Sequence, residues 1–325
     1  MGRIKKYLEY LGKCRREIAQ LSANSNCSQL YHWIDYFCAV VRHGALIRQY
    51  TIGNFWQLSN AERKRRLTYP RMCRYMKQLN SKEYLHFLDN KVEFNQFFNN
   101  FVKREWLNVI ISSVPIIETF IKEQNIVIVK PVDGVEGQNV TKINCPKNEN
   151  ELKSLCENLN KENVIIEECI IPHPDMVFGN TSVNTIRTHT IMGKDKKAHV
   201  IKAILRAGVG DTVADNYALG GSIYEVDVTS GVVNSYGKSK VGGTHIFHPG
   251  TDIIMLGYQI PHWDKVIDIS IRAAEHLSQV GIIGWDVAIT QDGVQLIEGN
   301  HNPDYELFEF LGSTGYNQKI KQLIF

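Results

Sequence analysis

The sequence predicts an α+β protein with a helical N-terminal region. Three observations carry that expectation. Residues 1 to about 88 are rich in Arg, Lys and aromatics at helical spacing, whereas from residue 126 short β-branched runs alternate with turns. Near the C-terminus, Gly284 to Asn300 forms a strand–turn–strand pattern around Asp292-Gly293. Just before it, Trp263, Val266, Ile267, Ile271, Ala274 and Leu277 recur at helical spacing, predicting a helix over 264–280 that stops at Gly281. Helical runs followed by runs of strands are the signature of an α+β arrangement with antiparallel sheets.

Each element follows in order. The first eighteen residues are basic and place Ile4, Tyr7, Leu8, Leu11 and Ile18 on one side of an amphipathic helix, read as a solvated basic face over a packed stripe. Pro70 opens a helix that runs through Met76. Ile126 to Val129 is an apolar strand, Asn150 to Leu159 a helix, and Val164 to Glu167 a second strand. Thr185 to Met192 and Ala198 to Leu205 are successive antiparallel strands. Ile223 to Val228 and Val232 to Tyr236 form a meander that turns at Ser230-Gly231.

Composition excludes several classes. A chain of 325 residues, 43% of them hydrophobic, can bury a sizeable core. A formal net charge of +3 gives no bulk electrostatic reason for a nucleic-acid partner. The seven cysteines are scattered without Cys-x-x-Cys spacing, against structural zinc and against a disulfide framework, so a reducing cytoplasm is expected. No apolar run approaches the ~20 residues of a membrane span, and the start Met1 to Lys6, without a following apolar core, is not expected to act as a secretory signal.

The hairpin carries the chemistry. Asp286, Glu298 and Asn300 sit at its open end, and hard cations such as Mg²⁺ take oxygen ligands, usually carboxylates plus phosphate oxygens. A two-residue Asp292-Gly293 loop would pair Val287 with Glu298 and send the two carboxylates to opposite faces. A three-residue loop, Gln291-Asp292-Gly293 with Gly293 left-handed, pairs Asp286 with Glu298, Ala288 with Leu296 and Thr290 with Val294. A shared metal requires the second, which is the expectation here. Upstream, Lys130 leaves a strand and is followed by a glycine-bearing turn through Gly134 and Gly137, an arrangement that can meet phosphate oxygens. Glu167-Glu168-Cys169-Ile170 is a strand end with backbone groups and an apolar neighbour suited to a purine.

Taken together these pieces carry a resemblance. The motifs are Leu88-Asp89-Asn90-Lys91 followed by Phe94, Phe97 and Phe98; Val129-Lys130-Pro131 with Gly134 and Gly137; Ser182 to Arg187; Leu205-Arg206-Ala207-Gly208; Asp215-Asn216 with Gly220-Gly221; His248-Pro249-Gly250-Thr251; Gly257 with Ile260-Pro261; Gly284-Trp285-Asp286-Val287; and Ile297-Glu298-Gly299-Asn300. Over roughly residues 50–312 the chain resembles the ATP-grasp enzymes. More narrowly, it is similar to their sugar-transfer-associated family, found with polysaccharide-building genes. Where that family has Asn-Asp-Lys, this chain has Asp89-Asn90-Lys91.

The resemblance implies an ATP-grasp fold, two α+β subdomains clasping ATP. It divides the chain into a helical region 1–88 that could serve the acceptor or a partner, a nucleotide subdomain 89–172 with a phosphate lid, and a C-terminal subdomain 173–325 with the metal hairpin. It implies ATP and one or two Mg²⁺ as cofactors. Lys91 and Lys130 would hold phosphates, Gly134 to Gly137 would form the lid, and Glu167, Glu168, Cys169 and Ile170 would line adenine and ribose. Asp286, Glu298 and Asn300 would bind metal. Arg187, Arg206 and Lys130 would face the reaction. His248 and His301 are weaker candidates, for an acceptor or proton-carrying role and for a place behind the metal.

The implied activity is a carboxylate–amine ligase working through an acyl phosphate on small molecules, sugar-linked in surface polysaccharide synthesis. A phosphotransferase of the same fold and a non-catalytic nucleotide-binding partner in a glycan-assembly complex are the alternatives. Specificity is expected in residues 1–88 and in the loop from Val209 to Gly221.

Overall fold

A computed structural model describes residues 2–134, 139–179, 182–209, 221–239, 244–309 and 314–325. The chain opens with helices α1 (Gly2–Ala23), α2 (Gln29–His43), α3 (Ile47–Thr51), α4 (Asn60–Arg65), α5 (Tyr69–Leu79), α6 (His86–Asp89) and α7 (Lys91–Phe97). Next come β1 (Trp106–Asn108), α8 (Val114–Gln124), β2 (Ile126–Pro131), β3 (Thr141–Asn144), α9 (Glu149–Leu159) and β4 (Val164–Glu168). Strands β5 (Thr185–Met192), β6 (Ala198–Ala207), β7 (Ser222–Val226), β8 (Gly237–Ser239) and β9 (Thr244–His245) follow. Helix α10 (Trp263–His276) leads into β10 (Ile282–Thr290) and β11 (Gly293–Asn300), before α11 (Glu306–Glu309) and α12 (Tyr316–Ile324).

The chain divides into two compact units, Met1–Gln78 with Asp304–Phe325, and Leu79–Pro303. In the first unit, local chemistry sets the helix ends. The Ser28 hydroxyl accepts from the Tyr31 amide to start α2, and Gly44 ends it at φ +69°, against Pro70, where a Cβ would fall 2.9 Å from the proline ring. Cys14, Ile18, Tyr36, Ala39, Ile47, Tyr50 and Phe55 pack the core. The buried Glu309 carboxylate draws the C-terminal segment in by accepting from the amides of Leu67 (2.6 Å) and Tyr316 (3.0 Å) and from Arg66 (3.1 Å).

The second unit holds two antiparallel sheets. The smaller runs β1-β4-β2-β3, with Val127, Val129, Val164 and Ile166 packed against Ile117, Ile121, Leu152, Cys156 and Leu159 of α8 and α9. The larger runs β11-β10-β5-β6-β7-β8-β9. Side chains alternate across a strand, so one face of this sheet is apolar. Ile186, Leu205, Tyr224, Ile283, Trp285, Val287 and Leu296 on that face bury against Val266, Ile269, Ala273 and Ala274 of α10.

The hairpin register differs from the expected one in its route. Asp286 does pair with Glu298, but Val287 pairs with Leu296, Ala288 with Gln295, Ile289 with Val294 and Thr290 with Gly293. The loop is therefore Gln291-Asp292. Gly293 keeps a positive φ of 147°, but as the first residue of β11 rather than within the loop. A β-bulge between Asp286 and Val287, opposite Ile297, supplies the extra residue that brings Glu298 back opposite Asp286.

Other expectations also change. Of the stripe on α1 expected to be packed, Ile18 is buried but Ile4, Tyr7, Leu8 and Leu11 are exposed. Residues 232–236 form isolated bridges, Val226 to Val233 and Val232 to Gln259, instead of a continuous strand. Helix α10 ends at His276, where Leu277 leaves the helical region at φ −114°, ψ 52°. Gly281 serves close packing instead: a Cβ there would stand 2.9 Å from Leu79 Cβ. All seven cysteines are free. Among the described residues no helix is long and apolar enough to cross a membrane.

Candidate active site

The face of the large sheet turned away from α10 is polar, and its charges sit in register. Arg187 on β5 stands opposite Asp286 on β10, which stands opposite Glu298 on β11. A regular ladder after the two-residue loop would have placed Ile297 opposite Asp286 and turned Glu298 toward the core. The bulge thus re-aims one carboxylate.

Asp286 is almost fully buried and held by two guanidinium groups. Arg187 donates to it through Nε and through Nη2 (2.7 Å), a bidentate pair, and Arg206 Nη1 donates at 2.8 Å. Burial alone would raise the Asp286 pKa, but Arg187 and Arg206 hold it well below the usual carboxylate range. Glu298 is more open, with 44% of its side chain exposed. It accepts from Asn300 Nδ2 at 3.1 Å and lies 3.8 Å from Arg187. Desolvation of its carboxyl and then the neighbouring Asp286 charge raise its pKa.

Lys91 and Lys130 come within electrostatic reach of each other. The Asn90 side chain caps α7 by accepting from the amides of Val92 and Glu93, which makes Lys91 the first helical residue. Lys91 Nζ donates to the Gly134 carbonyl at 3.0 Å, and its backbone amide donates to Val132. Burial lowers the Lys91 pKa, the Glu298 charge opposes that, and Lys130 adds to it. Lys91 therefore stands in the field of both Glu298 and Lys130.

Lys130 pairs with Glu167 at 2.5 Å. Glu167 is buried, and its carboxylate also accepts from Arg104 Nη2 (2.8 Å) and Asn95 Nδ2 (3.0 Å). Burial is outweighed there by Arg104 and Lys130, which keep Glu167 ionised. Its side chain is engaged by protein partners, Lys130 among them. Glu168 is similarly engaged, accepting from the Glu105 amide at 3.1 Å. Cys169 and Ile170 follow, both half-buried just beyond β4.

The histidines have structural partners. His248 is buried and donates from Nε2 to the Gly208 carbonyl at 3.0 Å, while the Gly208 amide donates to Asn184 Oδ1. It braces the chain after β6, and burial lowers its pKa. His301 Nε2 lies 2.9 Å from Asp89 Oδ1. Gly137, Asp215, Asn216 and Gly220 lie outside the described residues. Sequence reasoning missed Asn95 and Arg104. Their only signal was a charged residue, Arg104, standing just before the edge strand of the smaller sheet.

The donor set fits a divalent cation. Glu298 and Asn300 present oxygen atoms on the polar face beside Asp286, with Arg187 3.8 Å from Glu298 and Lys91 in its field. Among the described residues no cluster of three or more His, Cys, Asp or Glu stands together, so any metal held here rests on two carboxylates and an amide.

Comparison with known proteins adds family evidence. A family model described as sugar-transfer associated ATP-grasp matches residues 70–323. Solved structures that share similarity include the ATP-grasp ligase PsnB complexed with a phosphomimetic precursor variant, Mg and ADP, with 15% identity, TM-score 0.46, and coverage of 78% of this chain and 64% of that one. An ADP complex of N5-carboxyaminoimidazole ribonucleotide synthetase matches with 11% identity, TM-score 0.48, and coverage of 77% and 56%. D-alanyl-alanine synthetase A from Vibrio cholerae matches with 12% identity, TM-score 0.41, and coverage of 75% and 62%. The chain thus spans less than two thirds of the length of these structures. No curated protein matches the sequence.

Proposed function

We propose, since the chain belongs to the sugar-transfer associated ATP-grasp family, that it is an ATP-dependent carboxylate–amine ligase acting through an acyl phosphate. The observation that carries this reading is the row Arg187–Asp286–Glu298 on one sheet face, with Lys91 in the field of Glu298 and beside Lys130. A γ-phosphoryl group and a substrate carboxylate are both anions. Bringing them in line requires fixed positive charge at the oxygens where negative charge develops. Bound Mg²⁺, held by Glu298 and Asn300 with Asp286 alongside, would neutralise phosphate charge and orient the transferred group.

The chain's own residues do the rest. Lys91 binds phosphate from the start of α7, and its contact with Gly134 ties it to the loop after β2. Lys130 is steadied by Glu167 and contributes a second point charge. Arg187 and Arg206, oriented by Asp286, face the carboxylate and the departing phosphoryl oxygens. A lid around Gly134 to Gly137 would exclude water from the acyl phosphate. The division of labour is a nucleotide subdomain over 89–172, a metal-bearing subdomain over 173–325, and a helical region over 1–88 that contributes to acceptor choice. The substrates are small carboxylates and amines, sugar-linked in surface polysaccharide synthesis, and the compartment is the cytoplasm.

Hydroxylamine tests the reaction class. With ATP, Mg²⁺ and a panel of uronic and amino acids, a ligase yields hydroxamate together with ADP and free phosphate. Phosphate retained on an alcohol product, without hydroxamate, assigns a phosphotransferase instead. No ATP turnover with any acceptor rejects catalysis.

A further inference from the structure

We propose that Arg104 is a positioning residue that couples nucleotide binding to metal binding, by tying the Glu167–Lys130 pair to the bulge that aims Glu298. This rests on the ligase reading above. Arg104 is 4% exposed and lies in the segment that runs along the outer edge of β11. One guanidinium nitrogen, Nη1, donates to the Leu296 carbonyl at 2.6 Å. The other, Nη2, reaches the Ile297 carbonyl (3.2 Å), Glu167 Oε1 (2.8 Å) and Asn95 Oδ1 (3.4 Å). Its backbone amide donates to Gln295 Oε1 at 3.2 Å, and the Leu296 amide donates to the Phe101 carbonyl at 3.0 Å.

The placement explains why an arginine is buried here. β11 is the last strand of its sheet, and a bulge leaves carbonyls off the ladder. Arg104 meets the carbonyls of Leu296 and Ile297, the two residues immediately before Glu298. Those contacts fix the backbone that sends Leu296 into the core and Glu298 to the polar face. The same guanidinium neutralises Glu167, whose other oxygen holds Lys130. A buried ion pair adds little net stability over well-packed apolar groups, so stability alone is a poor reason for this one. A planar fork that joins a carboxylate to two carbonyls is a specific device, and lysine cannot reproduce it.

The consequence is linkage. Phosphate drawn to Lys130 and metal drawn to Glu298 both act on groups that Arg104 holds, so each should favour the other through it. The measurement is the ADP dissociation constant by calorimetry, with and without Mg²⁺, for the full chain and for Arg104→Lys and Arg104→Met. The ratio of the two constants is the readout. In both variants it is expected to fall about tenfold toward one, as losing an outer-shell partner of a metal ligand typically costs. Leu152→Ala, which opens the core between α9 and the smaller sheet without touching the site, should lower the melting temperature and leave the ratio unchanged.

A ratio that matches wild type in folded Arg104 variants overturns the inference and leaves the ligase reading standing. Failure of both variants to fold at 10 °C also overturns it, since the residue would then be purely structural. A wild-type chain that binds no ADP under either condition defeats the ligase reading and this inference with it.

Discussion

Asp286 and Glu298 face each other across β10 and β11 because Ile297 is bulged out of the ladder between Glu298 and the turn. The two carboxylates are neighbours yet live differently. Asp286 is enclosed by Arg187 and Arg206, whereas Glu298 opens toward solvent and lies within reach of the Lys91 charge. Their substitutions should therefore separate function from stability.

Glu298→Ala removes a half-exposed side chain, so folding should be little affected. Turnover should fall at least ~100-fold, the loss typical when an electrostatic partner of the transition state is deleted. ADP release in a coupled assay, with the melting temperature measured alongside, checks both halves. Activity within fivefold of wild type would remove Glu298 from the metal set.

Asp286→Ala should be inactive and also unstable. It removes the carboxylate that Arg187 and Arg206 share, and breaking a buried pair on one side costs about 3–5 kcal/mol. Urea denaturation of the variant should show a midpoint well below wild type. Adding Arg187→Met in the same chain should recover part of the loss, since the buried guanidinium that paired bidentately with Asp286 is then gone.

Lys91→Ala should weaken nucleotide binding about 10–100-fold, the range for a lost charge-assisted contact, with little change in stability because the side chain is only partly covered. Calorimetric titration with ADP and Mg²⁺ tests this. Equal affinity in the variant would mean that the Lys91–Gly134 contact serves the loop alone.

Acid sensitivity follows from the depressed carboxylates. Asp286 and Glu167 both have folded-state pKa values below their unfolded ones, because arginine and lysine favour the ionised form. The stability they contribute is present above the unfolded value near pH 4 and is lost as pH falls through the folded value. Wild type should lose stability steeply below about pH 4. Glu167→Gln should be less stable at pH 7 and show a shallower acid slope. Parallel stability–pH curves for the two proteins would contradict the assignment.

Much of this was legible in the sequence, and the gaps have physical causes. The strand Thr185–Met192 and the helix near Asn150 follow from local periodicity and appear as expected. The pairing of Asp286 with Glu298 was legible because a shared cation demands one face. The route to it was not. The extra residue sits in a bulge that Arg104 meets at the Leu296 and Ile297 carbonyls, contacts that no local pattern announces. Helix α10 stops short of Gly281 for a similar reason. Gly281 is needed against Leu79, a neighbour remote in sequence, and does not cap the helix. Glu167 was legible as a strand-end carboxylate, but its burial against Asn95 and Arg104, residues remote in sequence, was not.

The central claim is that Glu298, with Asn300 and Asp286, binds a divalent cation against the phosphates of ATP. A crystal structure with a non-hydrolysable ATP analogue and Mn²⁺ tests it most directly, because Mn²⁺ gives an anomalous signal. The account predicts one or two peaks bonded to Glu298 and Asn300 oxygens at about 2.1 Å, bridged to phosphates that Lys91 and Lys130 also touch. Nucleotide bound elsewhere, or metal bound without Glu298, would contradict it.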